Sequence, residues 1–215
     1  PLFAYLIGSQ STQIVDLLNQ ALGANIAAAT FDGGATRWIL GTVAALGLFV
    51  GVLLHELGHS LVARRFGFPI DSITLWIFGG VASFTEMPED WRQEFAIAIA
   101  GPVVSVLVGV ACFGLFSVVT PAAGGARFVL GYLAVLNVVL AIFNLLPAFP
   151  MDGGRVLRAL LARTRPYARA TSIAAEVGKF FAVLLGLVGL FSFNVIMIGI
   201  AFFIYIAASS ESQQV

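Results

Sequence analysis

The sequence predicts an α-helical integral membrane protein with about five to six transmembrane helices, the first truncated, and a small membrane-associated β-hairpin. Three observations carry this prediction. Hydrophobic residues fill 60% of the 215 positions and charged residues only 10%, against about 25% charged in a soluble domain. Long apolar runs recur along the chain, separated by short polar or Pro/Gly-rich breaks. The basic residues are divided very unequally between the two sides of those runs. The same composition excludes intrinsic disorder. Eleven basic residues against eleven acidic ones leave no positive excess to neutralise phosphates, so no nucleic-acid partner is expected. The expected solvent is a lipid bilayer.

The chain reads as one membrane core over residues 1–215. Residues 1–8 are apolar but far short of the ~20 residues needed to span a bilayer. Beginning at Pro1, they read as the stump of a first helix. Residues 9–37 are mixed, with Asp16, Asp32 and Gly33-Gly34, and read as an external loop holding one amphipathic helix. Trp38 to Ala63 is the first full span, bounded by Arg37 and Arg64-Arg65. Phe95 to Val119 and Phe128 to Leu146 follow, stopped by Pro121 and Pro147. Phe180 to Phe191 and Val195 to Ala208 form a final pair around the turn-like Ser192-Phe193-Asn194. The first of this pair is expected to start near Ser172, which places Glu176 and Lys179 in its early turns. Residues 209–215 read as a polar cytoplasmic tail.

Orientation follows from the cations. Arg37 and Arg127 fall on one side of the spans, and Arg64, Arg65, Arg92, Arg155, Arg158, Arg163, Arg165, Arg169 and Lys179 on the other. The side with nine is expected to be cytoplasmic. The protein is thus expected in a cell membrane as a multi-pass chain. Ten arginines against one lysine, with abundant Ala and Gly, point weakly to a GC-rich prokaryotic source.

Ile70 to Phe84 is too short for a helical hairpin, is rich in Ile, Thr, Trp, Phe and Val, and has Gly79-Gly80 near its middle. It reads as two short strands and a tight turn. Because apolar strands near a membrane must pair their backbone groups, the hairpin is placed against protein at the cytoplasmic leaflet. An unpaired interfacial loop is the alternative. Cys112 has no second cysteine to pair with and reads as a buried, inert thiol.

The only two histidines, His55 and His59, lie in the first full span as His-Glu-Leu-Gly-His. At 3.6 residues per turn they project from one helix face. Two neutral imidazoles so placed can occupy two positions of a tetrahedral zinc ion. Glu56, rotated by about 100° from His55, can reach an activated water without being a ligand, as in the H-E-x-x-H metallopeptidases. A chance match is disfavoured, because an ionised residue at the bilayer centre costs ~2.5–3.5 kcal/mol even on a lenient scale. His55 lies ~12 Å along the helix from Ala63, about a third of the way in from the cytoplasmic side. Gly47 and Gly51 precede it at a spacing of four, where small residues admit a neighbouring helix or a substrate.

A catalytic zinc site needs a third protein ligand and an open position. With no other histidine, a carboxylate must supply it. Asp16 and Asp32 fall on the wrong side. Asp71, Glu86, Glu89, Asp90 and Glu94 read as a solvated loop around the hairpin, and Glu176 and Glu211 as interface and tail. Asp152 follows Pro147 and Pro150 and precedes Gly153-Gly154. Such broken backbone at membrane depth is tolerated where it lines a protein cavity. The alternative for Asp-Gly-Gly, a plain turn, leaves the histidines short of a ligand.

These segments together resemble the site-2 protease family of intramembrane zinc metalloproteases. His55 to His59 resembles its first motif, Asn144-Leu-Leu-Pro-Ala-Phe-Pro-Met-Asp152-Gly-Gly its second, and Gly101-Pro102-Val103-Val104-Ser105 its weaker third. The resemblance covers about residues 38–165. It implies a six-helix core and one zinc ion per chain, held by His55, His59 and Asp152. It also implies Glu56 as catalytic base and a membrane-spanning protein as substrate, cleaved in regulated intramembrane proteolysis. In prokaryotic relatives the substrates are typically anti-sigma factors, membrane-held regulators or leftover signal peptides. The chain departs from the family pattern in lacking most of the first helix. No paired-CBS or inserted PDZ module is read in it, and its tail ends where a regulatory domain begins in some members.

The oxyanion needs a further donor, and both histidines are spent. Asn144 is the expected donor, with Asn137 as runner-up; Arg155 is expected to hold the cytoplasmic end of the substrate or to face headgroups. Three rivals remain at this stage. One is a prenyl-protease or heat-shock-protease type of H-E-x-x-H enzyme, whose later Glu motif is not found. The others are a metal transporter and an inactive scaffold, the latter disfavoured by an intact Glu56.

Overall fold

The computed structural model describes residues 2–31, 33–68, 70–76, 79–84 and 90–213. Eight α-helices and two strands are described. Leu2–Ser9 (α1), Ser11–Leu22 (α2) and a 3-10 turn at 28–31 precede the long helix Thr36–Arg65 (α3). Ile70–Trp76 (β1) and Gly79–Phe84 (β2) come next. Trp91–Val118 (α4), Gly124–Asn144 (α5), Asp152–Ala162 (α6), Tyr167–Phe191 (α7) and Val195–Gln213 (α8) complete the chain. Five of these, α3, α4, α5, α7 and α8, are long and apolar enough to cross a membrane. Their apolar side chains are widely exposed, up to 81% at Phe191 and 79% at Val195. Such exposure is costly in water, at ~25 cal/mol per Å², and costs nothing in lipid.

The chain divides into two compact units. One holds residues 1–55, 77–80 and 103–141; the other holds 56–76, 81–102 and 142–215. One division falls between His55 and Glu56, inside the continuous helix α3.

In the first unit, Ile7, Val15, Leu18, Ala24, Ile26, Ala44, Phe116 and Phe128 form a common core. The Asn19 side chain clamps the return of the chain after α2, accepting from the Ile26 amide at 2.9 Å and donating to the Ile26 carbonyl at 3.1 Å. Arg127, read in the sequence only as a marker of side, is 8% exposed. It donates to the carbonyls of Ala24, Phe116 and Val119. The latter two lie at the end of α4, where backbone acceptors lack helical partners.

In the second unit, α6 packs on α7 and α7 on α8. Small residues allow the approach: a side chain at Gly178 would meet the backbone of Ala148 and Phe149 and the methyl group of Ala208.

Several element boundaries differ from expectation. The amphipathic helix expected within 9–37 is α2, and α3 already starts at Thr36, before Trp38. Helix α7 starts at Tyr167, not near Ser172, because Pro166 can open a helix without loss of a needed N–H. The expected tail is helical as far as Gln213. β1 and β2 are hydrogen-bonded neighbours in a two-stranded sheet. Gly79 and Gly80, expected at the turn, open β2.

Candidate metal centre

The site is built on two elements, α3 and the break before α6. His55 and His59 lie one turn apart on α3 and are 3% and 6% exposed. Each ring is oriented through Nδ1. His59 Nδ1 lies 2.7 Å from the Ile97 carbonyl oxygen. A carbonyl can only accept, so Nδ1 carries the proton and Nε2 keeps its lone pair for a metal. His55 Nδ1 shares a 2.9 Å hydrogen bond with Ser105 Oγ. Both partners come from α4, whose Pro102 removes a helical donor midway between them. Such outer contacts fix the tautomer and ring orientation of metal-binding histidines.

Asp152 is brought in by the break that follows α5. The helix ends at Asn144, and the chain turns through Leu145–Met151 with a cis peptide bond between Phe149 and Pro150. Asp152 is the first residue of α6, where the positive end of the helix dipole favours a carboxylate. The two following glycines are dictated by close backbone approach. A Cβ at Gly153 would collide with the carbonyls of Leu145 and Leu146, and one at Gly154 would come within 2.8 Å of the Phe149 nitrogen. Without these glycines the first turn of α6 could not lie under the break.

His59 Nε2 is 3.3 Å from Asp152 Oδ2. One ligand atom each from His55, His59 and Asp152 lie within 4.8 Å of one another, so the three could hold a metal ion. Two imidazole nitrogens and one carboxylate oxygen fit zinc and leave its fourth position open. Glu56 is buried, at 8% exposure, on the same helix.

Asn144 is half-buried at the last position of α5. Asn137 is fully buried against Gly51, with its Oδ1 where a Cβ of residue 51 would lie 2.7 Å away. Among the rival acids, Asp32, Glu86 and Glu89 lie outside the described residues. Glu94 overturns its expected place in a solvated loop: it is 4% exposed in the first turn of α4. The reason is an ion pair with Arg158, another residue read only by its side of the membrane. Cys112 is partly exposed, not buried. Ser105 was visible only as the end of the third motif, and the Ile97 carbonyl has no side-chain signal at all.

Residues 43–123 and 119–185 match peptidase family M50. Over 168 residues the chain is 44% identical to the zinc metalloprotease MJ0392 of Methanocaldococcus jannaschii, covering 78% of this chain and 49% of that protein. Over 192 residues it is 40% identical to the sll0528 protein of Synechocystis sp., covering 86% and 49% respectively. The chain therefore spans about half the length of these curated relatives. It also resembles the solved structure of the site-2 protease from Methanocaldococcus jannaschii. The TM-score is 0.64 at 37% identity, over 91% of this chain and 87% of that one.

Proposed function

The chain belongs to peptidase family M50, the site-2 protease family, and on that premise we propose that it is an intramembrane zinc endopeptidase. Its substrates are the membrane-spanning segments of membrane-anchored proteins, cleaved in regulated intramembrane proteolysis. The observation that carries this reading is the convergence of His55, His59 and Asp152, with ligand atoms within 4.8 Å, on an apolar spanning helix that also buries Glu56.

One zinc ion per chain would be held by His55, His59 and Asp152. Zinc, when bound, supplies a Lewis acid that polarises a carbonyl and lowers the pKa of water. Glu56 accepts a proton from the attacking water as its oxygen bonds to the scissile carbon. It then delivers a proton to the amine as the C–N bond breaks. Asn144 donates to the carbonyl oxygen as charge develops there. Ser105 and the Ile97 carbonyl keep the two imidazoles in register through these steps.

A helical substrate hides its peptide bonds, so it must be extended before cleavage. The β1–β2 pair, lying at the cytoplasmic leaflet, receives the unwound segment by strand addition. The cation asymmetry supports a cell-membrane orientation with Arg64, Arg65 and the α6 arginines on the cytoplasmic side, and the site nearer that side.

The test is cleavage of a labelled single-span substrate by the purified chain in detergent. Cleavage that stops on chelation and returns with equimolar zinc supports the reading. Cleavage indifferent to chelation, or none in a zinc-loaded preparation across a panel of spanning segments, contradicts it.

A further inference from the structure

Among the described residues, the two most deeply buried charges outside the metal centre, Arg158 and Glu94, are joined by the partly exposed Glu211. Arg158 of α6 is 2% exposed and Glu94 of α4 is 4% exposed. Arg158 Nε donates to Glu94 Oε1 at 2.7 Å, and Nη2 lies 2.6 Å from the same oxygen. Arg158 Nη1 donates to Glu211 Oε1 at 2.6 Å, in the last turn of α8. The rings of Phe149 and Tyr167 lie 5.1 and 5.0 Å from the guanidinium carbon. Burial disfavours the charged form of Arg158, but Glu94, Tyr167 and Glu211 outweigh it and hold the guanidinium above its ordinary pKa.

Such a group is expensive. Desolvating buried ions consumes much of their mutual attraction, and apolar residues of similar volume often serve stability as well or better. What apolar residues cannot supply is a fixed register between two helices. Here each of the two helices that are joined carries a group of the metal centre: α6 a candidate ligand and α4 a carbonyl that orients one. Arg158 sits on α6, whose first residue is Asp152, ~9 Å away along the helix. Glu94 sits on α4 three residues before Ile97, so both lie on one face. The Ile97 carbonyl is the group that orients His59. The ion pair and Nε hydrogen bond of Arg158 to one Glu94 oxygen therefore link the helix of a carboxylate donor to the turn that aims an imidazole donor.

We infer that Arg158 and Glu94 are positioning residues that set Asp152 against His59, with Glu211 locking the end of α8 to the same point. This rests on the metal-site reading above, in which His59 and Asp152 bind one ion.

The test compares the wild-type chain with Arg158→Lys, Arg158→Met, Glu94→Gln and Glu211→Ala, each in detergent. Zinc affinity is read by chelator competition, ligand geometry by the visible spectrum of the cobalt-loaded chain, and folding by thermal unfolding. Arg158→Met and Glu94→Gln should weaken zinc binding by about 10–100-fold and alter the cobalt spectrum. Arg158→Lys should recover part of the loss, and Glu211→Ala should lose less. Should Arg158→Met fail to fold, Arg158→Lys and Glu94→Gln decide. Folded variants with lowered thermal stability but wild-type zinc affinity and cobalt spectrum would overturn the inference and leave the metal site standing. A wild-type chain that binds neither metal would overturn both.

Discussion

His59 Nε2 and Asp152 Oδ2 lie 3.3 Å apart, although one residue belongs to the first long apolar helix and the other opens α6 far along the chain. Their meeting depends on the break between α5 and α6. If the pair shares one metal ion with His55, removing the carboxylate leaves two donors where zinc needs three. Asp152→Ala should therefore reduce zinc in the purified chain from about one per chain to a small fraction, measured by elemental analysis after desalting. His59→Ala should do the same. Unchanged zinc content in Asp152→Ala would remove it from the ligand set.

Ser105 is fully buried and shares its hydroxyl with His55 Nδ1. Its loss should loosen the orientation of one ligand without removing that ligand. Ser105→Ala should weaken zinc affinity by about 10–100-fold, read by chelator competition. The fold should persist, since one small hydroxyl is worth only ~1 kcal/mol of stability. Equal affinities in the two chains would reduce Ser105 to a packing residue.

Gly153 has no room for a side chain, because the Leu145 and Leu146 carbonyls already occupy the Cβ position. Relief requires moving backbone, which carries Asp152 with it. Gly153→Ala should cost at least ~3 kcal/mol, above the usual range for overpacking, and should lose zinc together with thermal stability. An alanine tolerated at wild-type stability would show that the break has another conformation to adopt.

Much of this was legible in the sequence because it was written in single residues or in runs. The five long apolar helices follow from the apolar runs and the residues that bound them, and His55 to His59 from spacing. Asp152 followed from ligand arithmetic, since the chain has only two histidines, and from the prolines and glycines around it. What stayed hidden were pairings. Glu94 and Arg158 each look like ordinary charges beside a membrane, and nothing in either neighbourhood says that they cancel inside the protein. Arg127 was read only as a marker of side, and the engagement of its guanidinium by carbonyls at the end of α4 left no sign in the sequence. The Ile97 carbonyl belongs to the backbone and leaves no trace in residue identity. Element ends shifted for a similar reason: the polar end of α8 is helical where the side chain of Glu211 reaches Arg158.

The account turns on whether Glu56 moves protons while the metal site stands independently of it. The most direct measurement sets Glu56→Gln beside the wild type, with zinc content and the rate of cleavage of a single-span substrate determined on the same preparations. Gln keeps the shape and polarity of the side chain and removes its basicity. About one zinc per chain is expected in both, with cleavage by Glu56→Gln slower by about 10²–10⁴-fold or more. Cleavage at the wild-type rate by a zinc-loaded Glu56→Gln chain would contradict it.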